Sequence, residues 1–398
     1  MYTAAASGTL TPTRADVPFF TQAATFASLW PAVRGHLDEL ISHGKFSHGG
    51  KVAELESALA RWTGAGFVVG VNSGTDALVL LLRACGLRPG DEVLVPAYSF
   101  VASASCVVLA GGTPRFVDID PVGYGLDPAG LAATTTPRTR MVLPAHLFCQ
   151  PADLGGIVRF AADHGLTVVE DSAEAIGMRW DGTHAGLLGA GGVLSFFPTK
   201  TLGAIGDAGA VLTDDPDLAE RVAALRHHGR YGRTLDNFPG IANASVVSGV
   251  NSKMDDIQAA VLLAKLARLD ADIARRADLA AAYTERLDGV GGVTRLPSLV
   301  PRPVATTPVY YVYLVEVDRR DALARHLAAA GVGTETYYPT PLHLQPCFAH
   351  LGYAPGDFPH AERACSRALA LPLYPDLPLD AVDRVCDAIR DFYPSEWA

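Results

Sequence analysis

FVVGVNSGTDALVLLLRACGLRPGDEVLVP, residues 67–96, reads as strand, helix, strand. FVVGV (67–71) is an apolar run of buried-strand length, residues 76–85 carry a helical pattern, and the turn at Pro89, Gly90 and Asp91 leads into EVLVP (92–96). Upstream, KVAELESALARW (51–62) places Val52, Leu55, Leu59 and Trp62 on one helical face. Downstream the alternation continues. A helix runs to Ala110, RFVDI, MVLPA, TVVEDS, VLSFF and AGAVLT read as further strands, and residues 153–164 as a helix between two of them. Strands and helices alternating at this spacing predict an α/β fold with a mostly parallel seven-stranded sheet flanked by helices. A ligand is expected at the carboxyl ends of its strands.

After Gln258, AAVLLAKLARLDADIARRADLAAAYTERL (259–287) reads as one long helix leading out of this unit. Gly289, Gly291, Gly292 and the prolines at 297, 301, 303 and 308 form a loop. A smaller C-terminal α/β unit follows, with a strand over VYYVYLVEV (309–317), a helix ending at Gly331 and a closing helix over 380–389. At 398 residues the chain exceeds the ~250 at which single cores stop growing, so two domains are expected. Their bounds are set at 17–265 and 266–398, after a loose tail over 1–16.

Composition narrows the function. A net charge of −10, with only 19% of residues charged and the Lys and Arg scattered, argues against nucleic-acid partners. No run approaches the ~18 apolar residues of a membrane span, and the first sixteen residues lack the apolar core of an export signal, so a cytoplasmic protein is expected. The six cysteines form no C-x-x-C pair and the twelve histidines show no ligand spacing, which predicts reduced, mostly buried thiols and no metal.

Two segments carry chemistry. NSGTDAL (72–78) joins a strand to a helix, so backbone amides at the helix start, beside small side chains, make a site for phosphate. Ser73 or Thr75 could equally be a plain N-cap. It is neither a triphosphate loop nor a dinucleotide fingerprint. TVVEDSAEAIG (167–177) puts Glu170 and Asp171 at a strand end, and SFFPTK (195–200) ends another strand with an isolated lysine. An acid followed 29 residues later by such a lysine fits pyridoxal phosphate chemistry: the lysine forms a Schiff base, and the carboxylate keeps the pyridine nitrogen protonated. A solvated Lys200 and a turn-capping Asp171 fit the spacing as well. The scarcity of charge near Lys200 in the chain is expected to lower its pKa toward the reactive amine.

NSGTDAL, PAYSF, EDSAEA, SFFPTK, GDAGAV, GVNSKMDDIQAA and YYPTPLHLQP follow one another over about 270 residues. Together they resemble the DegT/StrS family of pyridoxal-phosphate-dependent nucleotide-sugar aminotransferases, of the fold type I, aspartate-aminotransferase-like architecture. The resemblance implies that Lys200 is the Schiff-base lysine and proton carrier, and that Asp171 is the partner of the pyridine nitrogen. It implies that Ser73, Gly74, Thr75 and Ser195 hold the phosphate and that Phe100 stacks on the ring. Glu174 stands where relatives often have Gln or His beside the ring's phenolic oxygen. Two carboxylates so close would repel, so Glu174 is expected protonated or turned toward substrate.

Asn251 lies in a segment that in the family reaches across a dimer interface to the neighbouring phosphate, which implies a homodimer with composite sites. Lys253, where the family often has Arg, and Phe197, Tyr338 and His343 fall on the substrate side, and a satisfied structural histidine fits His343 nearly as well. The implied reaction moves an amino group from L-glutamate to a nucleotide-linked keto-deoxysugar, with dTDP as the carrier, in amino sugar or antibiotic biosynthesis. Phe197, where many enzymes acting at carbon 4 have His, and the stretches LGAIGDAGAV and HLFCQPADL lean toward carbon 3. A sugar dehydratase on the same fold would have His in place of Lys200. A silent sensor would show erosion of Asp171, Ser195 or Lys200, and all three are intact.

Overall fold

A computed structural model of the chain describes residues 16–47, 49–231 and 244–393; of the expected tail over 1–16, all but Asp16 lies outside the described residues. The apolar runs of the first half build a seven-stranded sheet. Its strands are β1 (Phe67–Val71), β2 (Glu92–Pro96), β3 (Thr113–Val117), β4 (Thr139–Val142), β5 (Thr167–Asp171), β6 (Gly191–Ser195) and β7 (Gly209–Thr213). They lie in the order β1-β7-β6-β5-β4-β2-β3, parallel except for β7, which runs antiparallel to both β1 and β6. Helical segments fill the connections as far as β5, and residues buried on the sheet, such as Val93, Val95, Val169 and Val193, form the main core with Leu78, Leu81 and Phe116.

The topology brings the chemistry-bearing residues to one edge. Parallel strands end together, so Val71, Pro96, Asp171 and Ser195 sit at the same side of the sheet, and β7 begins there at Gly209. Gly209 is in register with both Val71 and Ser195. The helix Gly74–Ala84 therefore starts three residues beyond a strand end, at this side of the sheet.

Two expectations for the second half are corrected. Residues 259–287 form two helices, Asp256–Leu266 and Leu269–Leu287, broken at Ala267 and Arg268. The break lets the first pack on Ala23–His43 and Gly50–Thr63 while the second packs on Leu379–Phe392. The strand expected over 309–317 is confined to Tyr313–Val317. Its first residues give their amides to the 148–149 loop instead, Val309 to the Cys149 carbonyl (3.1 Å) and Tyr311 to that of Phe148 (2.8 Å). Tyr313–Val317 is the centre of a three-stranded antiparallel sheet with Val293–Arg295 and Ala368–Leu371. The helices Leu269–Leu287, Arg320–Ala329 and Leu379–Phe392 close a second core against it. Among the described residues no helix is long and apolar enough to cross a membrane.

Candidate active site

A cavity of about 590 Å³ opens at the strand-end edge, within the ~300–1,000 Å³ common for ligand sites. Ser73, Gly74, Thr75, Phe100, Asp171, Glu174, Ser195, Phe197, Lys200 and Tyr338 all line it. Residues as far apart in sequence as Ser73 and Lys200 thus meet because the parallel strands end together.

At one end lies the start of helix Gly74–Ala84. Ser73 is its N-cap: the Ser73 Oγ accepts from the Asp76 amide at 3.1 Å, so this hydroxyl serves the helix, as the plainer reading of the motif has it. The amides of Gly74 and Thr75 precede the helix's own hydrogen-bond ladder, and the Thr75 and Ser195 side chains line the cavity beside them. Close approach of three chain segments requires glycine here. A Cβ on Gly74 would lie 2.8 Å from the Ser195 Cβ, and one on Gly209 would lie 2.5 Å from the Ser73 carbonyl carbon.

Deeper in, Asp171 is buried at the end of β5. Its Oδ2 accepts from the Ser103 hydroxyl (2.6 Å), which is itself 2.7 Å from the Ser99 hydroxyl, and its Oδ1 accepts from the Ala173 amide (3.2 Å). Glu170, one residue earlier, faces the other side of the strand. It accepts from the amides of Gly186, Leu188 and Gly189 at 2.7–2.8 Å and pairs with His146 Nε2 at 3.0 Å. Burial works against its charge, but His146 and these amides outweigh burial and hold its pKa below the usual value. The Ala152 amide donates to His146 Nδ1, which fixes the tautomer carrying its proton on Nε2.

Lys200 projects into the cavity between Glu174 and Tyr311. Its Nζ is 3.3 Å from Glu174 Oε1 and 4.2 Å from the centre of the Tyr311 ring. Glu174 also accepts from the Tyr338 hydroxyl (Oε1, 3.1 Å) and from the Phe148 amide (Oε2, 3.2 Å). The expectation of a lowered lysine pKa is corrected by this surrounding. Burial disfavours the ammonium, but Glu174, Tyr311 and Asp171 together outweigh it and hold the Lys200 pKa above its ordinary value. Charge is scarce beside Lys200 along the chain, and the fold supplies it from the end of β5 and the loop that follows.

The aromatic candidates divide by exposure. Phe100 and Phe197 are 55% and 49% exposed while lining the cavity, so neither is a core aromatic. Tyr338 packs against Phe100, with ring centres 6.1 Å apart, and burial pushes its phenol well above the ordinary value. Asn251, Lys253 and His343 are not among the lining residues. His343 is fully buried, with Nε2 3.1 Å from Glu362 Oε1 and its ring 4.7 Å from that of Phe358. Asn251 is exposed, and its side chain accepts from Lys253 Nζ. The segment between them ties down the start of helix Gly74–Ala84: Ser252 Oγ donates to Asp76 Oδ2 (2.6 Å), and the Asn72 amide donates to the Ser252 carbonyl (3.0 Å).

Sequence reasoning missed Ser99, Ser103, His146 and Tyr311. Ser99 is the serine of PAYSF and Ser103 lies four residues on, a spacing that could have found them. Tyr311 had no such signal, because its place follows from the backbone bond to Phe148.

The arrangement fits pyridoxal phosphate. A helix start with small side chains can hold a phosphate, a buried carboxylate can face a ring nitrogen, and a primary amine stands in the same cavity. A sequence profile of the DegT/DnrJ/EryC1/StrS aminotransferase family matches residues 32–390. A pleiotropic regulatory protein of Geobacillus stearothermophilus is 39% identical over 95% of this chain and 99% of its own length. A dTDP-3-amino-3,4,6-trideoxy-alpha-D-glucose transaminase of Streptomyces venezuelae is 39% identical over 96% of both chains. The crystal structure of S. venezuelae DesV in complex with a ketimine intermediate is 39% identical and superposes with a TM-score of 0.89, over 95% of this chain and 98% of that one.

Proposed function

The chain belongs to the DegT/DnrJ/EryC1/StrS aminotransferase family, and on that premise we propose that it transfers the amino group of L-glutamate to carbon 3 of a dTDP-linked keto-deoxysugar. The observation that carries this reading is the convergence of Lys200, Asp171 and the Gly74–Ala84 helix start on one cavity. Pyridoxal phosphate, when bound, supplies an electron-withdrawing ring that carries the amino group between donor and acceptor.

The chain's own residues do the rest. Lys200, which lines the cavity, would hold the cofactor at its aldehyde carbon and carry a proton on Nζ. Asp171, locked by Ser103 and Ala173, keeps the ring nitrogen protonated. Gly74, Thr75 and Ser195 hold the phosphate, and Ser73 shapes that cradle by capping the helix. Phe100 covers the ring, while Phe197 and Tyr338 flank the sugar. Asn251 and Lys253, exposed or half-buried and outside their own chain's cavity, serve the site of a second copy in a homodimer. Support for carbon 3 and dTDP comes from the stretches around residues 146–154 and 202–211 and from the S. venezuelae transaminase. The absence of a membrane-crossing helix among the described residues fits a cytoplasmic enzyme. The regulatory name of the Geobacillus relative points to a sensor instead, but binding alone would not need both Lys200 and Asp171 in place.

Borohydride reduction of the purified yellow protein followed by peptide mapping should fix the cofactor to Lys200. Label on another lysine, or no bound cofactor, overturns the assignment. Glutamate added without sugar should change the cofactor spectrum, because the donor half-reaction runs alone. Mass spectrometry of products from 3-keto and 4-keto sugars then decides the carbon.

A further inference from the structure

Among the described residues, every hydrogen-bond partner of the Glu174 carboxylate is a donor. Lys200 Nζ and the Tyr338 hydroxyl meet at Oε1, and the Phe148 amide meets Oε2. The last of these is held by an uncommon backbone: Phe148 has a φ of +64°, a left-handed conformation that bulky residues rarely adopt. With donors at both ends, both terminal atoms must accept. A glutamine, with one carbonyl and one NH₂, would set its NH₂ against either Phe148 or the lysine. A carboxylate is the side chain that suits this place, and its 5% exposure keeps water from screening it from Lys200.

We propose that Glu174 is a positioning residue that retains a proton on the Lys200 nitrogen and so sets the pH range over which Lys200 takes up and releases it. The inference rests on the reading above that Lys200 carries the cofactor. The other ionisable groups around the pair do not replace Glu174. Asp171 is tied to Ser103, and Tyr311 shares its hydroxyl with Tyr337 at 3.2 Å. Asp207 and Glu335 line the cavity as exposed residues, and the His146 ring is fixed against Glu170. The direction of the Lys200 shift agrees: burial favours the neutral amine, and Glu174, the largest opposing influence, reverses this together with Tyr311 and Asp171.

The test is a pH titration of the visible absorbance of the full-length, cofactor-loaded protein, which reports when the nitrogen joining Lys200 to the cofactor loses its proton. Glu174→Gln should lower the midpoint by about one pH unit, a tenfold change in proton affinity. Tyr338→Phe removes the other donor to Oε1 without changing charge and should move the midpoint far less. An unmoved midpoint in Glu174→Gln, or an equal shift in Tyr338→Phe, overturns the proposal. Should Glu174→Gln fail to retain cofactor, competitive acetylation of the cofactor-free full chain near pH 8 gives the same answer. Lys200 labelling should rise several-fold over the parent, and equal labelling overturns the proposal. A parent protein with no visible absorbance would instead remove the underlying assignment of Lys200.

Discussion

Asp171 is held by two donors, Ser103 on Oδ2 and the Ala173 amide on Oδ1, so its orientation does not depend on the ligand. Asp171→Asn is nearly isosteric and can still accept at one atom, but it removes the charge that stabilises a protonated ring nitrogen. The variant is expected to bind cofactor and to lose about a hundredfold or more in kcat, as when one preorganised electrostatic contact is lost. Cofactor content by absorbance and steady-state turnover check both halves, and near-normal turnover would make Asp171 a structural residue. At this scale the sequence was readable where a residue's identity and chain position suffice. Asp171 and Lys200 each end a strand or stand just beyond it. The charge state of Lys200 was not readable, because Glu174 reaches it from a different strand's loop, 26 residues away.

The phosphate cradle depends on elements rather than on side-chain chemistry, because β1, β6 and β7 must bring Ser73, Ser195 and Gly209 into contact range. Gly74→Ala would put a methyl 2.8 Å from Ser195 Cβ, and the rigid strand end leaves little room to yield. Overpacking of this kind costs about 1–3 kcal/mol. It should appear as a cofactor Kd raised about tenfold or more, a 1.4 kcal/mol effect per decade, with a lower Tm. Gly50→Ala, at a helical position with nothing within 4 Å of the added carbon, is the matched control and should change neither. If Gly74→Ala binds cofactor like the parent, the cradle is looser than the geometry indicates. Element existence was legible in this half because each buried strand is a short apolar run and, as far as β5, a helical segment stands between it and the next. It was less legible beyond residue 256. There the apolar stretch 309–317 gives its first amides to the 148–149 loop, and the Ala/Leu pattern runs unbroken through the bend at Arg268. Propensity registers neither a tertiary hydrogen bond nor a change of packing partner.

For the whole molecule, the question is which chain completes each site. Asn251 is exposed and lies outside its own chain's cavity, and the apolar residues Val246, Val247, Val250, Ile205 and Ile257 are 38–68% exposed. Clustered apolar exposure on either side of a polar segment is what an interface with a second copy leaves on a single chain. In a two-fold dimer built this way, Lys200 of each site comes from one chain and Asn251 from the other. Lys200→Ala is expected to be inactive, and Asn251→Ala to be strongly impaired, through weaker phosphate binding. Mixed in equal amounts and allowed to exchange at random, half of the dimers are heterodimers. One site of each heterodimer carries both lesions and the other carries neither, so roughly a quarter of parental activity should return. Were Lys200 and Asn251 supplied to a site by the same chain, every site in every dimer would keep one lesion and mixing would restore nothing. Subunit exchange followed independently, by mass-tagged chains, makes that null result decisive against a shared site.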